Sequence, residues 1–317
     1  MRKNRFIVAI ILILLSVSVQ AQKIVFTPQW TPQSQFAGFY VAKDMGFYEE
    51  VGLDVDIVHP STSNSAMNLL NSGKSNIISM QLLQAMKLID QGHNLINVLQ
   101  TSQHAGLIIV SRNESLKSIY DLKGKKVGKW KVGFSELAEI IDKEFGLNIK
   151  WVSFLQNINL YISGAIDASL AMSYNEYLQI KASGYNHMPV IRFSEFGYDF
   201  PEDGVYVTKE YYDNNTEQVD AFVSATKKGW EWTMNNQDKA LEIVLKYMKE
   251  ANIPTNTIHQ KWMLDEILRL QCDMNTGKQS FELKQDKVER MSYMLQKHKF
   301  IKQPITVDIL KGGRYEY

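Results

Sequence analysis

The sequence has few of the residues that build covalent cross-links or metal sites. Cys272 is its only cysteine, so an intrachain disulfide cannot form and the fold must be stabilised by burial. The six histidines are scattered, without the spacing of a zinc site or a serine triad. The sequence also contains no phosphate-binding loop and no dinucleotide-binding fingerprint. We therefore expect a protein that uses no cofactor or metal and is not an enzyme.

An excess of charge of one sign is also missing. The formal net charge is +1 over 317 residues. Removing Arg2, Lys3 and Arg5, which precede the first apolar run, leaves a net charge of −2 for the chain after Ala21. Domains that bind nucleic acid carry a basic face, and this composition supplies none. We expect no nucleic-acid partner.

Long apolar runs are absent except at the amino-terminal end. Residues Phe6–Val19 are apolar apart from two serines, follow a basic start and lead into the small-x-small pattern Val19-Gln20-Ala21. This run is shorter than the roughly 20 residues that span a membrane. We predict a cleavable signal peptide over residues 1–21, cleaved after Ala21, and a soluble, monomeric periplasmic protein. The alternative is an uncleaved anchor.

Short apolar strands alternate with helices through most of the remaining chain, which is the pattern of an α/β fold. Strands are predicted over Lys23–Pro28, Leu53–His59, Asn76–Met80, Leu95–Thr101, Leu107–Ser111, Lys125–Gly128, Ile149–Ser153, Asp167–Met172, Pro189–Phe193 and Val205–Thr208. Helices are predicted over Phe36–Met45, Ser65–Ser72, Leu82–Gln91, Ser118–Leu122, Phe134–Phe145, Leu155–Ser163, Tyr174–Ser183, Glu217–Asn235, Gln237–Glu250, Thr255–Cys272 and Lys284–His298.

One segment breaks this alternation and indicates a second lobe. Ser194–Gly204 contains Gly197, Pro201 and Gly204 among aromatics, and we interpret it as a return crossing. The predicted first lobe comprises residues 22–112 and 205–317, and the second lobe residues 113–204. Two crossings would create a cleft lined by strand-to-helix turns, where α/β sheets bind ligands.

Two segments at predicted helix starts suggest ligand contacts. After the first strand, Trp30 could stack on a flat ligand, while Gln33 and Gln35 offer donors and acceptors. The alternative is a surface loop whose Trp packs against the sheet edge. Gly133-Phe134-Ser135 opens a predicted helix, whose free N–H groups favour a negative or polar ligand group. The alternative there is a plain N-cap serine.

Glu176 is a third candidate, because it follows the predicted strand Asp167–Met172 at the start of a helix. Its carboxylate could pair with an amino group of a ligand. Equally, a carboxylate at this position complements the helix dipole. The residues alone leave both interpretations open.

At residues 30–57 the run WTPQSQFAGFYVAKDMGFYEEVGLDVDI resembles the N-terminal signature of periplasmic substrate-binding proteins of the thiamine-pyrimidine-precursor group. That group also covers sulfonate- and taurine-type importers and a fungal pyrimidine synthase. The similarity continues through Asp121–Gly128, Gly164–Ala168, Asn175-Glu176 and Phe222–Trp232. It implies an α/β fold, the two-lobed type II periplasmic binding protein with two interlobe crossings.

The resemblance also implies which residues touch the ligand. Carried over by position, these are Trp30 and Gln35, then Gln81, then Gly133, Phe134 and Ser135, then Tyr174, Asn175 and Glu176. The implied function is capture of a small organic molecule by lobe closure, such as a thiamine pyrimidine precursor or a related nitrogenous compound, for an inner-membrane ABC permease. The alternative partner is a membrane sensor receptor or kinase. A pyrimidine-precursor synthase is less favoured, since the cysteine-rich segment of the fungal enzyme is missing.

Overall fold

Two five-stranded sheets organise the computed structural model, which describes residues 22–61, 63–131, 135–155, 158–274 and 276–313. The predicted signal peptide lies outside these residues. Within them, no helix combines the length and the apolar character that a membrane crossing requires.

The first sheet has the strand order β2 (Leu53–Ile57), β1 (Gln22–Thr27), β3 (Ile77–Gln81), β10 (Asp203–Thr208) and β4 (Leu95–Gln100). β1 runs parallel to β2 and β3, whereas β10 is antiparallel to β3 and β4. Every residue of β3 and β4 is buried, because helices cover both faces of the sheet. The carboxyl ends of β1 and β3 therefore meet the amino end of β10 at one edge.

The second sheet has the order β7 (Lys150–Phe154), β6 (Lys126–Trp130), β8 (Ala168–Met172), β5 (Leu107–Ser111) and β9 (Val190–Arg192). β5 was expected in the first lobe, within residues 22–112, and this placement is wrong. Its pairing with β8, from Leu107 opposite Met172 to Ser111 opposite Ala168, fixes it in the second sheet. The chain therefore crosses between the sheets once after β4 and returns between β9 and β10.

Helices surround both sheets. They are α1 (Ala37–Asp44), α2 (Phe47–Glu50), α3 (Ala66–Asn71), α4 (Leu82–Asp90), α5 (Ser135–Phe145), α6 (Asn159–Ile162), α7 (Glu176–Ala182), α8 (Lys209–Asn214), α9 (Thr216–Asn235), α10 (Gln237–Glu250), α11 (Thr257–Leu270), α12 (Gln285–Lys297) and α13 (Val307–Leu310). The predicted helix Leu155–Ser163 shrinks to α6, and Leu155 is 71% exposed. Three short helices, α2, α8 and α13, were not predicted.

Tight packing of α1 against α9 holds the loop that follows β1. Gly38 lies against the ring of the fully buried Trp230, and Gly229 lies against the backbone of α1. Phe39 of α1 packs edge-on against Trp230 and stacks on Phe26 of β1 at a centroid distance of 4.4 Å. Because α1 is fixed between the sheet and α9, the loop that leads into it has a defined position.

Helices of the two lobes also touch one another. Lys87 of α4 forms an ion pair with Glu136 of α5. On the other side of the crossings, Ser173 after β8 donates to Glu266 of α11 at 2.6 Å. These contacts bring the ends of the two sheets together.

Candidate functional site

Two glutamines in the loop after β1 donate to one carboxylate, and a third glutamine orients one of them. The side-chain amide of Gln35 donates to Oδ2 of Asp203 at 2.6 Å, and that of Gln29 donates to Oδ1 at 2.8 Å. Gln33 orients Gln35, since its Nε2 donates to Oε1 of Gln35 at 2.6 Å. Gln35 lies in a 3-10 turn, Ser34–Phe36, that leads into α1. The loop thus supplies a set of amides to Asp203.

Asp203 is held in place by main-chain pairing as well as by these amides. It is the first residue of β10 and pairs with Gln81, the last residue of β3. Its carbonyl oxygen accepts from Nε2 of Gln100 at 2.7 Å and from Oγ1 of Thr101 at 2.9 Å. Both donors come from the end of β4 and the first crossing. Asp203 therefore joins the loop after β1, the strand β3 and both crossings.

Tyr174 brings the second lobe to this point. It follows β8, is only 4% exposed, and its hydroxyl oxygen accepts from Nε2 of Gln35 at 3.3 Å. Burial, and then the nearby carboxyl groups of Asp203, Glu202 and Glu176, raise the pKa of Tyr174 well above its usual value. Its hydroxyl keeps its proton at neutral pH and can donate it to an acceptor.

A second carboxyl group, that of Glu202, lies beside Asp203. Its Oε1 accepts from the backbone N–H of Leu107 at 3.0 Å, at the start of β5. Burial of the carboxyl, and then the charge of Asp203, raise the pKa of Glu202 to about 8. Burial also raises the pKa of Asp203, against the hydrogen bonds from Gln35 and Gln29. Glu202 is therefore protonated at neutral pH and can donate as well as accept.

We call the set Gln29, Gln35, Gln81, Tyr174, Glu202 and Asp203 the interlobe polar cluster. Several buried polar atoms in and around it have no hydrogen-bond partner among the described residues: Oγ1 of Thr27, Oε1 of Gln29, Oγ of Ser34 and Nε2 of Gln81. Such an atom costs about 1–3 kcal/mol when it stays unsatisfied. All four belong to the ends of β1 and β3 or to the loop after β1. The cluster can thus hydrogen-bond a polar molecule placed among them.

The lobes are closely apposed at the cluster. A cavity of about 10 Å³ is lined by residues that include Gln35, Tyr174 and Asp203. A second, of about 30 Å³, lies between Gln81, Leu107 and Glu202. Each volume is about that of one water molecule. Neither of these two cavities has room for an organic ligand while the lobes are closed.

Trp30 follows Gln29 in the same loop and is 40% exposed. Its carbonyl oxygen accepts from Nδ1 of His59 at 2.6 Å, which requires that Nδ1 carries a proton. Burial lowers the pKa of His59 to about 4, so the neutral ring accepts from the hydroxyl of Tyr40 through Nε2, at 2.9 Å. His59 and Tyr40 therefore fix the backbone from which Trp30 projects. Stacking of Trp30 on a ligand stays a prediction.

Glu176 and Asn175 make local contacts at the start of α7. The carboxylate of Glu176 accepts from the backbone N–H of Met172 at 3.0 Å and from Nδ2 of Asn175 at 3.2 Å. Oδ1 of Asn175 accepts from Gln179 at 2.9 Å. Burial raises the pKa of Glu176. Both the helix-dipole interpretation of Glu176 and its role toward a ligand stay predictions.

The predicted segment Gly133-Phe134-Ser135 is described only in part. Gly133 and Phe134 lie outside the described residues, and the described part of α5 runs from Ser135 to Phe145. The next residue, Glu136, is buried, pairs with Lys87 and accepts from Nε2 of Gln84 at 3.4 Å. The first turn of α5 therefore already carries a paired carboxylate.

Of the predicted contact residues, the structure brings Gln35, Gln81 and Tyr174 together. Asp203 and Glu202, on which these residues converge, were missed. The sequence signal that could have identified them is the acidic pair Glu202-Asp203, which follows Pro201 inside the return crossing and precedes a predicted strand. No group of three or more His, Cys, Asp or Glu side chains could hold a metal ion within the described ranges.

Comparison with known proteins gives a consistent picture. A family model described as "NMT1/THI5 like" matches residues 33–240. The formylaminopyrimidine-binding protein of Halalkalibacterium halodurans is 27% identical over 236 residues, covering 71% of this chain and 70% of that protein. A 4-amino-5-hydroxymethyl-2-methylpyrimidine phosphate synthase of Saccharomyces cerevisiae is 21% identical over 251 residues, with 74% of each chain covered.

Among solved structures, the periplasmic aliphatic sulphonate binding protein SsuA from Escherichia coli superimposes with a TM-score of 0.67. It is 13% identical, and the superposition covers 92% of this chain and 91% of that one. At this identity the likeness concerns the fold. It confirms the predicted two-lobed α/β fold of periplasmic binding proteins.

Proposed function

The chain belongs to the NMT1/THI5-like family, and on this premise we propose that it is the ligand-binding component of an ABC import system. The ligand is a small polar organic molecule held between the lobes. One observation carries the proposal: buried polar atoms without a partner among the described residues lie at the ends of β1 and β3 and in the loop after β1, whose Gln35 meets Tyr174 of the second lobe. Relatives named for binding a formylaminopyrimidine and an aliphatic sulphonate support this class of function.

The mechanism is capture by lobe closure. When the lobes separate, the Gln35–Tyr174 hydrogen bond breaks and both side chains become available to a ligand. A ligand that bonds to both lobes then favours the closed arrangement by the free energy of those contacts. We propose that the closed form docks on an inner-membrane permease, that the protein works outside the cytoplasm after loss of residues 1–21, and that it releases the ligand unchanged.

In this proposal, the residues predicted from the sequence supply the ligand contacts in the cleft. Trp30 would cover one face of a ring, and Gln35, Gln81 and Tyr174 would bond to its edge. Asn175, Glu176 and the start of α5 at Ser135 would line the second lobe, with Gly133 and Phe134 preceding them. An aromatic ring stacked on Trp30 and several hydrogen bonds supply the few kcal/mol that closure needs.

The test is a thermal-shift screen of the chain from Gln22 onward against aminopyrimidines, sulfonates, amines and nucleobases, since binding raises the unfolding temperature by mass action. We expect a selective shift that Trp30→Ala and Tyr174→Phe each abolish or reduce strongly. Trp262→Ala is the matched control, because Trp262 on α11 is 42% exposed, much like Trp30. Its shift should match that of the unmodified chain.

Two further readouts separate the alternatives. Mass spectrometry of the recovered ligand should show it unchanged, and a converted product would favour a synthase. A selective ligand that leaves both variants unaffected would place binding outside the cleft. If no compound shifts the unfolding temperature, the proposal loses its support.

A further inference from the structure

An exposed group of lysines lies at the end of the second sheet that faces away from the cleft. β6, β7 and β8 run parallel to one another, and the chain passes from the carboxyl end of β8 into Tyr174 of the interlobe polar cluster. The amino ends of the three strands therefore lie at the opposite end of the sheet. There Lys126 of β6 and Lys150 of β7 are direct partners in the register, and both are exposed.

A turn ahead of β6 brings further lysines to the same place. The carbonyl oxygen of Lys125 accepts from the N–H of Lys150 at 2.8 Å, and the N–H of Gly124 donates to the carbonyl oxygen of Leu147 at 2.8 Å. These bonds hold the turn against the start of β7, and Lys123 is exposed within it. The lysine patch, as we call this surface, consists of one tyrosine and five lysines: Lys117, Tyr120, Lys123, Lys125, Lys126 and Lys150.

The carboxylates beside the lysine patch accept from backbone N–H groups. Oδ2 of Asp121 accepts from the N–H groups of Lys117 and Ser118, at 3.0 and 2.8 Å. Oδ2 of Asp167 accepts from the N–H of Lys126 at 2.8 Å. Among the residues that the structure describes, none of the five lysine side chains forms an ion pair. Their ammonium groups are therefore available to an anionic partner.

The lysine patch is basic although the chain as a whole is not. Its five lysines outnumber the two aspartates beside it by three. Because the chain after Ala21 has a net charge of −2, the rest of it carries −5. Asp142, a third carboxylate near β7, lies on the other face of the sheet: it accepts from the indole of Trp151, whose side chain points away from that of Lys150. Positive charge is thus concentrated at one end of the second lobe.

Tyr120 adds an exposed aromatic ring to these charges. It is 63% exposed, lies between Lys117 and Lys123 in the sequence, and packs edge-on against Phe145 at a centroid distance of 5.7 Å. Tyrosine is enriched where proteins meet the headgroup layer of a membrane, and lysines are attracted to anionic lipid surfaces. The lysine patch contains no arginine, which is the residue suited to bidentate phosphate recognition. It is built from a 3-10 turn and strand ends, not from a helix that could enter a nucleic-acid groove.

We propose that the lysine patch holds the chain reversibly on an anionic lipid surface, with Tyr120 at the level of the headgroups. Each lysine contributes a small attraction that salt screens, so the contact is weak and reversible, unlike that of a membrane-spanning helix. The cleft lies at the other end of the second lobe and stays open to ligand. This inference goes beyond ligand binding and does not depend on it. The contact would keep the chain beside the membrane in which the proposed permease lies.

The test is co-sedimentation of the chain from Gln22 onward with lipid vesicles. One set of vesicles contains phosphatidylcholine alone, and the other contains phosphatidylcholine and the anionic lipid phosphatidylglycerol in equal parts. We expect the chain to sediment with the anionic vesicles and to remain in solution with the neutral ones. Raising the salt from about 0.1 M to about 1 M should release it, because the screening length falls from about 10 Å to about 3 Å.

A triple variant removes the most exposed charges of the lysine patch. Lys123→Gln, Lys126→Gln and Lys150→Gln together should lower the partition coefficient on anionic vesicles by about tenfold or more. If circular dichroism shows that this variant does not fold, Lys117→Gln with Lys125→Gln serves instead and should lower the coefficient in the same direction.

A matched control removes the same charge from the first lobe. Lys74, Lys239 and Lys249 are exposed and lie after α3 and on α10. Their triple replacement by glutamine changes the net charge equally, and should leave the partition coefficient within about twofold of that of the unmodified chain, since these lysines lie outside the lysine patch.

The outcomes separate this inference from the proposed function. No sedimentation with anionic vesicles would overturn it, as would retention on immobilised heparin without vesicle binding, which would indicate an anionic polymer instead. An equal loss in both triple variants would show attraction by net charge alone and would also overturn it. The thermal shift produced by a cleft ligand should be the same in the Lys123, Lys126 and Lys150 variant as in the unmodified chain, so either proposal can fail while the other stands.

Discussion

At the scale of single residues, Glu202 makes stability depend on pH. Its ordinary pKa is 4.5, and in the folded chain burial raises the pKa to about 8. Between these values the folded state holds a proton that the unfolded state releases. The contribution of the Glu202 carboxyl group to the free energy of unfolding is therefore complete below about pH 4.5 and is lost as pH rises toward 8.

Glu202→Gln removes this titration while keeping the shape of the side chain. We expect the variant to gain stability relative to the unmodified chain as pH rises from 5 to 8, measured as the difference in unfolding temperature. Glu231→Gln, on the exposed face of α9, is the control and should give a flat difference. A flat difference for Glu202→Gln would mean that its carboxyl group is ionised in the folded chain.

The sequence predicted only part of this cluster. Gln35 and Tyr174 could be proposed because both stand at strand-to-helix turns in a recognisable signature. Asp203 and Glu202 could not, because their position depends on the antiparallel register of β10 against β3, a pairing between segments 122 residues apart in the case of Asp203 and Gln81. Local patterns carry no information about such a register.

At the scale of elements, the contact between α1 and α9 depends on two glycines. A Cβ at Gly229 would lie 2.2 Å from the carbonyl oxygen of Gly38, which is backbone and cannot move aside alone. We predict that Gly229→Ala destabilises the chain by about 1–3 kcal/mol, although alanine favours helix more than glycine does. Urea unfolding measures the change.

Ser224→Ala provides the control, because Ser224 is exposed on the same helix and the substitution adds helix propensity without a clash. It should leave stability unchanged or raise it slightly. Equal stability of Gly229→Ala and the unmodified chain would show that the two helices can separate without loss. In that case the loop after β1 would not owe its position to this contact.

Prediction of elements succeeded where a pattern was long or strictly periodic. The helices α9 and α10 agree closely with the predicted ranges, because apolar residues recur at helical spacing over many turns. Short helices such as α8 and α13 were not predicted, because one or two turns contain too few residues to show a hydrophobic periodicity. β5 was assigned to the wrong sheet because its apolar sequence is compatible with either sheet. Only its pairing with β8 places it in the second sheet.

At the scale of the whole molecule, the family resemblance and the two-lobed fold were both predicted correctly. The sequence could not show how the lobes contact each other. Glu144 of α5 pairs with Lys297 and with His298 after α12, and it also accepts from the hydroxyl of Tyr198 at 3.3 Å. α12 packs through α13 on β4 of the first sheet, so these contacts link the second lobe to the first.

These contacts should bias the lobes toward closure. The hydrogen bonds from Lys297 and His298 lower the pKa of Glu144 to about 2, so its contribution is present above about pH 4.5 and is lost as pH falls toward 2. An exposed ion pair is worth about 0–1 kcal/mol, which corresponds to a change of at most about fivefold in the ratio of closed to open molecules.

Glu144→Gln should therefore increase the radius of gyration measured by small-angle X-ray scattering without ligand, and weaken ligand binding by at most about fivefold. High salt should shift the unmodified chain in the same direction, because it screens the pair. Asp44→Asn is the control: Asp44 of α1 pairs with Lys246 of α10, and both helices belong to the first lobe. If Glu144→Gln and Asp44→Asn give the same radius of gyration, the ion pairs of Glu144 do not stabilise closure. Closure would then depend on the interlobe polar cluster alone.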